Sequence, residues 1–259
     1  MTDATSVPAD RHARLAGHVF TLLVLGAWTV WGLSVQSYQM PGPLDILRRL
    51  ADFFTDWREL RHMFISFGHI IGAVALSFVV GSACAFLAFY LPRTRLMMHG
   101  RLTPFLNSFP GIGWIMLAII WLGVNDLTVV FVISMVLVPF AILNMREGLD
   151  AIDAELMEMG NSFTRSRWRI FRTLVVPSLY PFVFATLRVS FGVAWKVALT
   201  AELFGGNTGF GYLLNLARND FDTPLIFGII LIIIAFVYST DRWVFVPVQR
   251  RLARHHGPA

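Results

Sequence analysis

Three ionisable side chains stand within one apolar stretch of the chain, where a charge is costly. Lys196 and Glu202 lie in the stretch 181–204, with Glu202 near its outer end, and Arg188 lies nearer its start. Ionised groups at membrane depth are rare and mark solute paths, proton relays or paired contacts between helices. Lys196 could attract an anionic solute or lie at a contact between subunits, whereas Arg188 is expected to extend its head group to the polar interface.

The sequence lacks the motifs that nucleotide binding, nucleophilic catalysis and metal binding would require. No phosphate-binding loop of the GxxxxGK[ST] pattern and no Gly-x-Ser-x-Gly elbow occurs in the sequence. Cys84 is the single cysteine, and His69 has no further ligand at metal-binding spacing, so it is expected to pack between helices. The sequence therefore predicts no catalytic residue, no metal site and no cofactor bound by this chain. An enzyme within the membrane would need a paired acid and base inside the apolar stretches.

The composition is that of an integral membrane protein. Hydrophobic residues make up 56% of the 259 residues and charged residues 14%, whereas soluble domains carry about 25% charged residues. The net charge of +5 comes from basic residues at the ends of apolar stretches, which is a signal of membrane topology rather than of nucleic-acid binding. Because lipid leaves no partner for an open strand, the fold is predicted to be all-α. Six membrane-spanning helices are predicted, at 17–35, 64–91, 103–122, 127–145, 181–204 and 224–246.

The distribution of arginine predicts which ends of these helices face the cytoplasm. One side of the membrane collects most of the basic residues. The other side has few arginines, and most of these stand beside acidic residues that offset their charge. Both termini and the polar segment 147–181 are therefore predicted to be cytoplasmic. The organisation that follows is an N-terminal tail at 1–16, a six-helix domain at 17–248 and a C-terminal tail at 249–259, which includes a disordered His255-His256. The first helix is expected to be retained, since no signal-peptide cleavage site follows it.

Two connections on the opposite side carry apolar residues. The segment 36–63 begins with a proline turn and continues as an amphipathic pattern, which predicts either a surface helix or a plain connector. The segment 205–223 is glycine-rich and then apolar, and predicts a short re-entrant or surface helix. Gly68, Gly72 and Gly81 are expected to allow close approach of a neighbouring helix.

The segment 147–181 is the longest polar interruption in the second half of the chain. Its first part predicts an acidic helix with one apolar stripe, formed by Ile152, Leu156, Met159 and Phe163. A basic helix is predicted to begin near Ser166 and to end at Pro177 and Pro181. Two such helices are either a docking surface for a partner or a loop resting on the bilayer. The periodicity leaves both open.

This segment resembles the coupling segment of permease subunits from bacterial ABC importers. The motif of that family is Glu-Ala-Ala, three residues, Gly, nine residues, Ile, one residue and Leu-Pro. With Trp168 as the anchor, Glu158 falls on the glutamate and Thr164 on the turn glycine, which is a departure. The other motif positions fall on Met159, Gly160, Leu174 and Val176-Pro177. Threonine tolerates a left-handed backbone poorly, so either the turn is made without that conformation or Gly160-Asn161 adopts it instead. A sharp turn at Thr164 with positive φ would mark a strained residue.

The resemblance extends over nearly the whole chain and is greatest to the nitrate, sulfonate and taurine branch. Its positions here are Ser166-Arg167-Trp168, Leu187-Arg188, Ala201-Glu202, Thr208-Gly209-Phe210-Gly211-Tyr212 and Asp241. The resemblance implies a multi-pass protein of the bacterial inner membrane with a type I importer permease fold. It implies a homodimer, two ATPase subunits that bind ATP and Mg²⁺, and a periplasmic or lipid-anchored substrate-binding protein. The solute would be a small anionic or aromatic compound.

The resemblance also implies roles for particular residues. Contacts that couple the permease to the ATPase are expected at Leu156, Glu158, Met159, Gly160, Phe163, Thr164, Arg165, Trp168 and Pro177. The translocation path or its gate is expected at Trp195, Lys196, Glu202, Gly209 and Gly211, where Glu202 would fix the gate loop through hydrogen bonds. An ion-driven transporter and a membrane scaffold are the alternative functions, and the sequence does not identify the solute.

Overall fold

The computed structural model describes residues 7–35 and 39–255, and within these ranges all regular secondary structure is helical. The predicted tails fall partly outside these ranges, at 1–6 and 256–259. The first described helix begins at Val7 and the last one ends at His255, so residues 7–16 and 249–255 of the predicted tails are helical. In chain order the helices are α1 (Val7–Ser34), α2 (Pro43–Thr55), α3 (Trp57–Tyr90), α4 (Pro92–Ser108), α5 (Gly111–Leu122), α6 (Asp126–Asp150), α7 (Ala154–Phe163), α8 (Arg167–Gly205), α9 (Gly209–Asn219) and α10 (Thr223–His255).

Four of these helices, α3, α6, α8 and α10, are long and apolar enough to cross a membrane. The pair α4 and α5 is bent by 89° and makes a fifth crossing if it is one broken span. The first predicted span lies on α1, whose apolar stretch in the described residues is Val19–Gly32. The all-α membrane fold is confirmed, with four or five helical crossings found by length and composition in the described residues.

Helix α8 joins the predicted basic helix to the fifth predicted span without a break. The prediction that Pro177 and Pro181 end the basic helix is therefore wrong. The turn Phe171–Val175 is π-helical, and the amide of Val176 donates to the carbonyl of Phe171, five residues earlier. A proline ring inside an α-helix clashes with the carbonyl four residues earlier in the chain. The widened turn directly before Pro177 relieves this clash.

One compact unit comprises Arg61–Leu213 and Ile232–Ala259. Close packing of α3 against α6 depends on Gly81, where an added Cβ would lie 2.4 Å from the Cβ of Ala141. Gly68 and Gly72 have no comparably close neighbour, so the expected close approach holds at one of the three glycines. The end of this unit nearest α7 is closed by a buried cluster of Ala85, Met145, Leu149, Val175 and Leu179.

A second compact unit comprises Met1–Leu60 and Leu214–Leu231. It contains α2, which confirms the predicted helix in segment 36–63. Ile46 and Phe53 are buried on one face of α2, and Leu47 and Phe54 are exposed on the other. The segment 205–223 likewise contains a short helix, α9, as predicted.

Arg49 joins three parts of this second unit. Its Nη2 lies 2.5 Å from Glu59 Oε1 and its Nε lies 2.7 Å from Asp222 Oδ2. The hydrogen bond to Glu59, together with Asp222, raises the pKa of Arg49 above its ordinary value, although partial burial acts in the opposite direction. Because a raised pKa of a base stabilises the fold at every pH below its unfolded value, this contribution does not change near neutral pH.

The substitution Arg49→Lys is expected to lower the free energy of unfolding by about 1 kcal/mol. Lysine keeps the charge but loses the planar fork that reaches both carboxylates at once. Thermal unfolding of the detergent-solubilised protein measures the effect. Arg48→Lys, at an exposed position on the same helix, is the matched control, and an equal loss in both variants would contradict the assignment.

Candidate functional site

The segment between α7 and α8 turns without left-handed backbone. Thr164 is extended, with φ −154° and ψ 140°, and its hydroxyl accepts a hydrogen bond from the amide of Ser166 at 3.2 Å. Ser166 then caps α8 by accepting a hydrogen bond from the amide of Arg169 at 3.4 Å. The turn is thus made without a left-handed residue, which is the first of the two expected alternatives, and neither a positive φ at Thr164 nor a turn at Gly160-Asn161 is observed. Threonine stands here without strain because the turn needs an extended residue and two hydroxyl caps.

The apolar stripe of α7 is divided between two faces. An added Cβ on Gly160 would lie 3.4 Å from Leu174 Cδ1, so the absence of a side chain brings α7 close to the start of α8. Ile152 and Met157 pack against the buried cluster at the end of the larger unit. Ile152, which the periodicity places with the exposed residues, precedes α7 and packs inward on this cluster. Met157, which was not among the residues predicted from the sequence, holds α7 against the same cluster.

The outer face of α7 and the start of α8 form an exposed surface, which we call the α7–α8 surface. Phe163 is 83% exposed and Trp168 is 69% exposed, with the Trp168 ring stacked on that of Phe171. No salt bridge to Glu158 or Arg165 is present among the residues described. The members of the α7–α8 surface are Leu156, Glu158, Met159, Phe163, Arg165 and Trp168. Large apolar side chains beside unpaired charges are typical of a surface that a partner covers. Pro177 and Thr164 are only partly exposed and lie behind it.

Glu202 is the most buried ionisable residue in the described part of the larger unit, with no exposed area. Its Oε2 accepts hydrogen bonds from the hydroxyl of Ser66 at 2.9 Å and from the amide of Gly211 at 2.8 Å. Its Oε1 lies 2.9 Å from Nδ1 of His69. A buried carboxylate is tolerated when its lone pairs are filled in this way. The arrangement joins α8 to the first turn of α9 and to α3.

Gly209 and Gly211 are glycines because α9 begins directly against Glu202. Gly209 has φ +94°, and an added Cβ there would lie 2.3 Å from Glu202 Cδ. An added Cβ on Gly211 would lie 2.4 Å from the carbonyl oxygen of Leu199. The amide of Phe210 donates to the hydroxyl of Ser66 at 2.7 Å. Three of the predicted path or gate residues, Glu202, Gly209 and Gly211, thus lie together.

The polar residues of α3 that complete this cluster were not among the site residues predicted from the sequence. His62, Ser66 and His69 are all buried, and Nδ1 of His62 accepts from the amide of Gly209 at 3.1 Å. Their spacings of four and three residues place them on one helical face within an apolar sequence, and that pattern was the available signal. His69, expected only to pack between helices, contacts Glu202. Its Nε2 also lies 3.5 Å from Asp126 Oδ1, a carboxylate that accepts a hydrogen bond from Thr208.

Trp195 and Lys196 are neighbours in sequence but occupy different surroundings. Trp195 is 3% exposed and packs its ring against Phe67 and Phe236, with centroid distances of 5.2 and 5.6 Å. Lys196 is exposed, and it is the single lysine of the sequence. The two residues line a cavity of about 480 Å³, but neither contacts the Glu202 cluster in the described residues.

Arg188 differs from the expectation that it extends to the interface. Its Nε donates to Asp241 Oδ1 at 2.8 Å and its Nη2 donates to Asp241 Oδ2 at 3.1 Å, while Nη1 donates to Gln249. A bidentate pair of this kind fixes the guanidinium at the α8–α10 contact. Arg188, Lys196 and Asp241 line a cavity of about 750 Å³ whose remaining walls are mostly apolar. Sequence could not place Asp241 there, because it lies 53 residues from Arg188.

The comparisons with known proteins agree with this architecture. The family model of the binding-protein-dependent transport system inner membrane component matches residues 77–252. A probable ABC transporter permease protein of Brucella melitensis is 27% identical over 83% of this chain and 89% of its own length. A putative aliphatic sulfonates transport permease protein of Bacillus subtilis is 25% identical over 94% of this chain and 88% of its own length.

The fold also matches a solved structure. The inward-facing MetNI methionine ABC transporter includes a chain that is 13% identical, with a TM-score of 0.65 over 76% of this chain and 97% of that one. This likeness shows the fold and nothing about the solute. The α7–α8 surface lies within the residues that the family model matches, as do Glu202, Gly209 and Gly211. The family model covers more than half of the chain, and the chain belongs to the family of inner membrane permease subunits of binding-protein-dependent ABC importers, which are not themselves ATPases.

Proposed function

We propose that two copies of this chain form the path of an importer for a small anion, such as an alkyl sulfonate. Two ATPase subunits, carrying ATP and Mg²⁺, dock on the two α7–α8 surfaces. A substrate-binding protein docks on the opposite side of the membrane, near α9. Both termini lie in the cytoplasm in this arrangement, as the arginine distribution predicts. A closed two-fold dimer supplies the second wall that a single chain of this size lacks.

The exposed face of α7 supports the site of ATPase docking. Leu156, Met159 and Phe163 are 43%, 50% and 83% exposed. Apolar side chains that cluster at a protein contact supply most of its binding energy, and charged residues at the rim set the partner's orientation. Glu158 lies among them and is placed to pair with a basic residue of the ATPase. Because Gly160 and Met157 fix α7 against α8, a movement of the docked ATPase would be transmitted from α7 to α8.

The proposal of an anionic solute rests on the cavity of about 750 Å³ that Lys196 lines. Of the cationic groups lining it, Arg188 is paired with Asp241. Lys196 makes no salt bridge in the described residues and is therefore free to attract a negative solute. The relative named for aliphatic sulfonates is consistent with this choice. An aromatic solute is the second candidate, and it would use the apolar walls of the same cavity.

Uptake driven by ATP tests the proposal. The complete importer is reconstituted in proteoliposomes with its ATPase and binding protein, and labelled alkyl sulfonate is supplied on the outer side. We expect accumulation that requires ATP. Accumulation of a neutral aromatic compound in place of the sulfonate would favour the second candidate, and no ATP-dependent uptake of either would contradict both.

The substitution Lys196→Gln is expected to lower the initial rate of sulfonate uptake about tenfold, because a lost charge-assisted contact costs about 1.5 kcal/mol or more. Lys196→Arg keeps the charge and is the matched control, expected to retain most of the rate. Uptake that is unchanged in Lys196→Gln would remove this residue from the path. Basal ATP hydrolysis by each complex shows whether assembly is intact.

A further inference from the structure

A smaller cavity lies at the end of the larger unit nearest α7, where α3, α4 and α6 meet. It has a volume of about 140 Å³. Its apolar wall includes Phe89 and Leu149, and its polar wall consists of Arg95, His99, Arg146 and Asp150. The cavity lies apart from the Lys196 cavity, whose lining residues it does not share. Nothing in the transport proposal uses it.

The charges around this cavity do not balance. Arg146 Nε lies 3.3 Å from Asp150 Oδ2, and Arg95 Nη2 lies 3.9 Å from Asp150 Oδ1. A single carboxylate thus faces two guanidinium groups, and it is the only acidic group in the lining that the structure describes. The longer of the two contacts is too long for a hydrogen bond. The lining therefore keeps one positive charge that an anion would neutralise.

Two guanidinium groups supply the donors for such an anion. Arg95 and Arg146 line the cavity beside His99. Nδ1 of His99 is buried without a hydrogen-bond partner among the residues described, and its surface is not open to the cavity. The hydrogen bonds to a bound anion would therefore come from Arg95 and Arg146.

The size and walls of the cavity indicate which anion fits. A volume of about 140 Å³ accommodates one tetrahedral oxyanion with a few waters, since a water occupies about 30 Å³. Arginine recognises phosphate oxygens through two parallel N–H groups. A phosphate group matches these donors in number and geometry.

We propose that this cavity binds a phosphate group, supplied either by a free oxyanion or by the head group of an anionic phospholipid. The bound phosphate joins Arg95 of α4 to Arg146 of α6. Leu149, in the same wall, also belongs to the buried cluster that contacts Met157 of α7. Occupancy therefore stiffens the base on which the α7–α8 surface rests. The site gives the importer a means to respond to its lipid or to cytoplasmic phosphate.

Thermal unfolding of the complete permease–ATPase complex in dodecyl maltoside tests the site without requiring transport. One arm titrates inorganic phosphate at constant ionic strength set with sodium chloride, which removes differences in general screening. The other arm titrates phosphatidylglycerol without free phosphate, with diacylglycerol of the same acyl chains as the comparison. The variants are Arg95→Gln/Arg146→Gln and, as the matched control, Arg93→Gln, an exposed arginine of α4 outside the lining.

We expect phosphate or phosphatidylglycerol to raise the unfolding midpoint of the wild type and of Arg93→Gln. The apparent Kd of the double variant should be weaker by about tenfold or more, since two charge-assisted contacts are lost. A response to phosphate alone identifies a free oxyanion, and a response to phosphatidylglycerol alone identifies a head group. The proposal is overturned if neither ligand shifts the wild type, if diacylglycerol acts like phosphatidylglycerol, or if the double variant responds as the wild type does.

Discussion

The substitution Glu202→Ala is expected to lower the free energy of unfolding by about 3 kcal/mol or more and to abolish ATP-driven uptake. It removes the acceptor for Ser66 and Gly211 and the partner of His69, all of which are buried. Each buried donor left without a partner costs about 1–3 kcal/mol. Thermal unfolding and ATP-driven uptake in proteoliposomes measure the two effects. The start of α9 loses its fixed position against α8 in this variant.

The substitution Glu202→Gln is the matched control for this result. An amide has the same shape, and its oxygen can still accept from Ser66 and Gly211. Its NH₂ group would face Nδ1 of His69, which can become the acceptor by changing tautomer. We therefore expect a loss well below that of Glu202→Ala. If the alanine variant were as stable as the glutamine variant, the hydrogen bonds of Glu202 would not be what secures α9.

The substitution Phe163→Ala is expected to weaken association with the ATPase subunit about 30-fold. Phe163 is the most exposed large apolar side chain of the α7–α8 surface, at 83%. A central aromatic residue at a protein contact contributes about 2 kcal/mol or more when it becomes buried there. Because its ring is exposed in the chain alone, the stability of the permease itself should not change. Titration of purified ATPase against the permease in detergent measures the affinity.

Two measurements make this prediction specific. Ser162→Ala, at the neighbouring exposed position of α7, should leave the affinity unchanged. An unaltered unfolding midpoint shows that Phe163→Ala is folded. Equal affinities for the wild type and Phe163→Ala would place the ATPase contact elsewhere on the chain. A loss of affinity together with a lower midpoint would instead indicate that Phe163 supports the fold.

The pattern of the sequence was sufficient for the class of fold and the place of the α7–α8 surface. Apolar stretches, arginine at their ends and a patterned polar segment are local features, and each predicts a helix or a boundary from nearby residues. The same reasoning left the backbone of the turn open, and the structure shows that Thr164 turns without positive φ. It failed at Pro177, because α8 continues through this residue by means of a π-helical turn.

The sequence by itself also showed that Glu202 and Lys196 are charges in an apolar helix, but it could not show their different surroundings. Only the tertiary structure brings Ser66 and His69 to Glu202, across 136 and 133 residues. It likewise leaves Lys196 exposed beside a cavity. The physical reason is that burial of a charge depends on donors supplied by other helices, and helix packing decides which donors arrive. Periodicity tells which face of a helix is apolar, whereas the partner of that face is set by the whole fold.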